Sequence, residues 1–125
     1  MKTPLQITFR DMEPSAAVEA RVRDHASKLD ELFDGILSCR VVVEMRHRRH
    51  HKGRLFHVGI DLTMPGAELV VSRDPDEDHA REDVYVAIRD AFDAARRRLS
   101  HQVQKMRGEV KARPVVMPAL PEAAG

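Results

Sequence analysis

Arg54-Leu55-Phe56-His57-Val58-Gly59-Ile60-Asp61-Leu62-Thr63-Met64-Pro65-Gly66-Ala67-Glu68-Leu69-Val70-Val71 reads as two strands and the turn between them. Phe56, Val58, Ile60, Leu62 and Met64 fall on every second position, the period of a strand with one buried face. Pro65-Gly66 is a strong turn signal: proline presets φ at the first corner and glycine accepts positive φ at the second. Leu69 and Val71 resume the alternation beyond it. Upstream, Ile36 to Arg48 is rich in β-branched residues and puts Cys39, Val41, Val43 and Met45 on one face. A basic loop from His47 to Gly53 joins that strand to the next. Near the start, Leu5, Ile7 and Phe9 alternate with Gln6, Thr8 and Arg10, which predicts a further half-buried strand.

Two segments carry the helical period instead. Val18, Val22, Ala26, Leu29 and Phe33 recur every three to four residues, with Ser15 placed to cap the helix and Glu19 suited to its first turn. Asp34-Gly35 is placed to stop it, the glycine being free to take the left-handed conformation. A second, longer stripe begins near Val84 and runs through Ile88, Ala91, Phe92, Ala95, Leu99, Val103, Met106 and Val110. Asp83 precedes it as an N-terminal acid, and Arg113-Pro114 ends it. The order is therefore β-α-β-β-β-α. This predicts one α+β domain over residues 1–113, a four-stranded sheet with both helices on the single face that is consistently apolar. The Pro/Ala-rich residues 114–125 read as a flexible tail.

The chain has 125 residues, a length suited to one domain. Apolar residues make up 42% and charged residues 33%, a globular and soluble composition. No apolar run approaches a membrane span, and the N-terminus lacks the apolar core of a secretory signal. The single cysteine, Cys39, excludes an internal disulfide and fits a reducing cytoplasm. The net charge of +1 conceals strong blocks. Residues 40–54 carry +5 and residues 84–113 another +5, while residues 11–34 carry −4 and residues 61–83 carry −6. Such basic blocks steer a polyanion locally without a basic overall composition.

Metal and catalytic chemistry find little support. His47, His50, His51 and His57 lie close in sequence, but the cations around them oppose binding of another, so a basic loop tip is expected and no metal. Asp76-Glu77-Asp78 lacks the oxygen spacing and glycine of a calcium loop and reads as a solvated acidic loop. Cys39 points inward by alternation, which predicts an inert buried thiol. No phosphate-binding glycine loop, dinucleotide fingerprint or nucleophile elbow is present. The chain is expected to be no enzyme and to need no cofactor.

The long helix is more informative. At 100° per residue its apolar stripe leaves Arg89, Arg96 and Arg107 along one border, Arg98 and Lys105 along the other, and Arg97 nearly opposite. The first helix adds Arg21, Lys28 and His25. The basic loop adds Arg46, Arg48, Arg49 and Lys52. Rows of cations on rigid rods suit phosphates along an RNA groove, and guanidinium forks engage their oxygens bidentately. The few aromatic residues fall on apolar faces, so recognition by backbone and shape is expected, not stacking of unpaired bases.

These features together resemble a known family. The segment Lys28-Leu29-Asp30-Glu31-Leu32-Phe33-Asp34, the turn Pro65-Gly66-Ala67-Glu68-Leu69-Val70-Val71, and Asp83-Val84-Tyr85-Val86-Ala87-Ile88-Arg89-Asp90 leading into Arg97-Arg98-Leu99 are similar to those of the bacterial ribosome hibernation-promoting factors. These are also called ribosome-associated inhibitor A, protein Y or sigma-factor modulation proteins. The resemblance covers residues 5–111. It implies a fold like a double-stranded-RNA-binding domain, and docking on the small ribosomal subunit in the channel of messenger and transfer RNA when growth slows. It places Lys28 at the basic position of the first helix, His25 where members often carry lysine, Arg97 at the arginine of the second helix, and Arg98 in place of a glutamine. Neither the C-terminal dimerisation domain nor the cold-shock domain of longer relatives is expected, and a monomer is expected. The alternative is a protein–protein regulator, of a sigma factor for example, working through the exposed sheet face and acidic loops; an RNA-modifying or metal-dependent enzyme is a third reading.

Overall fold

The computed structural model describes residues 1–47, 54–71 and 80–112. Its elements are β1 (Gln6–Arg10), α1 (Ala16–Leu32), β2 (Ser38–His47), β3 (Arg54–Met64), β4 (Ala67–Val71), β5 (Ala80–Arg81) and α2 (Val84–Ala112). The main sheet runs β1-β2-β3-β4. β1 is parallel to β2, with Ile7 opposite Val41 and Phe9 opposite Val43, because α1 carries the chain back across the sheet between them. β2–β3 and β3–β4 are antiparallel. The Pro65-Gly66 turn closes β3 onto β4 with Met64 opposite Ala67, and Gly66 has φ +76°, which a side chain would strain.

The predicted four-stranded sheet needs one addition. Ala80–Arg81 forms a two-residue strand, β5, that pairs antiparallel with β3 at Phe56 and His57. The sequence places those residues in a plain acidic loop, because two residues carry no period; only the unpaired edge of β3 selects them. The remaining acidic run at 72–79, the basic loop at 48–53 with its Arg48, Arg49, His50, His51 and Lys52, and the expected tail at 114–125 lie outside the described residues. 

Local capping follows the sequence. Ser15 Oγ accepts from the Val18 N–H at 3.2 Å and begins α1. At the other end the Phe33 N–H donates to the Leu29 carbonyl, and Gly35 takes φ +111° two residues later. Asp83 Oδ1 accepts from the Tyr85 N–H at 2.9 Å and starts α2. The inward faces meet in one cluster: Val41, Val43, Val58, Ile60 and Leu62 of the sheet, Val22 and Leu29 of α1, Ile88 and Leu99 of α2. Both helices therefore cover the same sheet face. Met106, expected on the apolar stripe, is 38% exposed. Among the described residues, no helix is long and apolar enough to cross a membrane.

Candidate nucleic-acid interface

Each helix buries one stripe, so the residues beside that stripe are fixed in direction. On α1 the buried set is Val18, Val22, Ala26 and Leu29. Arg21, His25 and Lys28 lie alongside it at i, i+4 and i+7, turned towards α2. On α2 the buried Ile88, Ala91, Ala95 and Leu99 leave Tyr85, Arg89, Phe92 and Arg96 turned towards α1. The two rows border a groove. Its upper part is a cavity of about 390 Å³ lined by Arg21, Asp24, His25, Lys28, Tyr85, Val86 and Arg89. Below it, His25, Lys28, Leu32, Phe92, Asp93 and Arg96 line a further 230 Å³. Leu32, Phe33, Arg96, Arg97 and Ser100 line the last hollow.

Aromatic rings hold part of this arrangement in place. The Arg21 guanidinium carbon lies 4.6 Å from the centre of the Tyr85 ring, a cation–π contact. His25 stacks on Phe92 at 5.3 Å between ring centres and 14° between planes. Both rings are thus covered from α1, which leaves phosphate, not bases, as the natural match for the groove. The sequence offered only a hint of this, since Tyr85 and Phe92 read as plain members of an apolar face.

The cations differ in how firmly they are engaged. Lys28 Nζ sits 3.4 Å from Asp24, and Arg89 reaches Asp90 at 3.2 Å. Both are exposed pairs, which contribute little and exchange readily for another anion. Arg96 and Arg97 are exposed, and neither has a carboxylate within ion-pair distance among the described residues. Lys105 is exposed farther along α2.

Two of the predicted basic residues lie outside the groove. Arg98 donates from Nη1 to the Val70 carbonyl of β4, so it ties α2 to the sheet edge instead of joining the groove. Arg46 lies on the sheet face opposite the helices and pairs with Glu44 at 2.9 Å. The structure therefore divides the predicted basic residues: Arg21, Lys28, Arg89, Arg96 and Arg97 share the groove, while Arg46 and Arg98 do not.

The outer sheet face has its own concavity, about 350 Å³ across Thr8, Arg10, Arg40, Glu44, Arg46 and Asp61. Its charges are largely paired: Arg40 meets Asp61 at 2.7 Å and Glu68 at 3.5 Å. His57 lines it too and is buried, although strand alternation turns it outward. Cys39 is fully buried, and burial, reinforced by Asp61, pushes its thiol up to about 12, which removes it as a nucleophile near neutral pH. Among the described residues no three His, Cys, Asp or Glu side chains gather to hold a metal ion.

The family described as Sigma 54 modulation protein / S30EA ribosomal protein matches residues 5–107. The chain belongs to this family. Solved structures agree in fold. A ribosomal subunit interface protein from Coxiella burnetii superposes with a TM-score of 0.62 at 13% identity, covering 80% of this chain and 97% of its own. The N-terminal domain of Thermus thermophilus Protein Y does so with a TM-score of 0.58 at 22% identity, covering 81% and 98%. No curated protein matches the sequence. The match to the S30EA family spans α1, α2 as far as residue 107 and the whole β1–β4 sheet.

Proposed function

We propose that this S30EA-family chain is a non-catalytic translation inhibitor that binds the small ribosomal subunit in the messenger- and transfer-RNA channel. It does so as a cytoplasmic monomer, through contacts to the rRNA backbone. The observation that carries the reading is the inter-helix groove, where Arg21, Lys28, Arg89, Arg96 and Arg97 converge from two rigid elements. Phosphate oxygens are the commonest partners of such rows, and they fix register without reading sequence. Family membership and a structural neighbour that is a ribosomal subunit interface protein support the ribosome as the source of the RNA. Occupancy alone would block messenger and transfer RNA, so no bond need be made or broken.

Regulation of a partner protein through the outer sheet face has less support. Arg40 and Arg46 there already meet Asp61, Glu68 and Glu44 of their own sheet. The test is cosedimentation with purified small and large subunits in separate gradients. The chain is expected to travel with the small subunit and to depress translation in a purified system. Comigration with the large subunit alone, or with neither, contradicts the proposal.

A further inference from the structure

His25 occupies the centre of the groove. It lines the two upper hollows together with Lys28, and its ring lies flat on Phe92. The stack fixes the plane of the imidazole, and its ring lines the space between the helices. Among the described residues, the titratable and charged groups that line these hollows with it come from the two helices: Arg21, Asp24 and Lys28 on α1, and Tyr85, Arg89, Asp93 and Arg96 on α2. Four of these seven are cations, and a phosphate entering among them would lie next to the imidazole.

We propose that His25 takes up a proton as a phosphodiester enters this groove, so that the groove holds RNA phosphates more tightly as pH falls. The inference rests on the phosphate-binding reading of the groove and adds to it the group that makes the contact depend on protons. In the free protein, burial holds the imidazole below its ordinary value; Lys28 and Arg21 push the same way, and Asp24 and Asp93 push back. A bound phosphate brings negative charge to the same spot and opposes the burial effect. The bound form then carries more protons than the free form between the two values, and by linkage affinity rises as pH falls through that window. Each unit of difference between bound and free imidazole is worth a factor of about ten.

The test measures affinity at constant ionic strength from about pH 8 to about pH 5.5, the range in which an ordinary histidine titrates. Two probes are used, purified small ribosomal subunits and a short RNA duplex. The parent is expected to bind severalfold more tightly at the acid end. His25→Gln should lose that gain. His25→Lys, with a permanent charge, should bind with little pH dependence and more tightly than the parent at the alkaline end. His101→Gln, an exposed change farther along α2, should keep the parent's slope and controls for substitution of a histidine outside the groove. Equal slopes in parent and His25→Gln on both probes overturn the proposal. A His25-dependent slope on the duplex, with no binding to small subunits at any pH, supports it and overturns the ribosomal reading instead.

Discussion

Replacing Arg89, Arg96 and Arg97 together by Ala is expected to weaken small-subunit binding by roughly a hundredfold near physiological salt and to relieve inhibition of translation. The size follows from counterion release, in which each phosphate contact contributes about 0.9 to the slope of log affinity against log salt. Three lost contacts amount to roughly two powers of ten at about 0.15 M salt. Folding should survive, because all three side chains are exposed and none belongs to the core cluster. Arg98→Ala is the informative companion. Its guanidinium is engaged with the Val70 carbonyl, so its loss should loosen the packing of α2 on β4 slightly and leave the salt slope near the parent's. Should the triple variant bind as well as the parent, the groove is not the contact surface.

Leu99→Ala is expected to cost about 2–5 kcal/mol, the range for a fully buried leucine whose site cannot collapse. Leu99 is 0% exposed and packs where α2 crosses the sheet. For a domain whose whole stability is of the order of 5–15 kcal/mol, such a loss moves the denaturation midpoint far. Met106→Ala, on the same predicted stripe but 38% exposed, should shift it little. Chemical denaturation of both variants checks the register of α2 directly. A Leu99 variant as stable as the parent would mean that the helix is rotated, and the basic border would rotate with it.

Why the fold was so legible can be seen at particular residues. Val58, Ile60 and Leu62 keep a strict period of two with all three buried, and the Pro-Gly turn sets Ile60 opposite Val71 and Leu62 opposite Leu69 of β4. The stripe of α1 is equally unambiguous at Val18, Val22, Ala26 and Leu29. β5 was invisible, because Ala80–Arg81 is a strand only by virtue of the β3 edge beside it. The exposure of Met106 was hidden as well, since a helical period records a face and not where the partner surface stops.

The site was half legible for similar reasons. A helical wheel sorts cations into borders, and Arg89 and Arg96 did fall on the border that meets α1. It does not show that the other border meets β4, where Arg98 finds a backbone carbonyl. For Arg46 the signal was present. If Cys39, Val41, Val43 and Met45 face inward, Arg46 must face away from the helices, and it lies there beside Glu44. The stacking of His25 on Phe92 joins residues 67 positions apart and has no local signature.

The central claim is that the helix groove meets RNA phosphates, and the salt dependence of small-subunit binding tests it most directly. With roughly five phosphates engaged, log affinity should fall against log salt with a slope of about −3 to −5. A slope near zero, with binding intact at high salt, would contradict the account and point to a contact made through another surface.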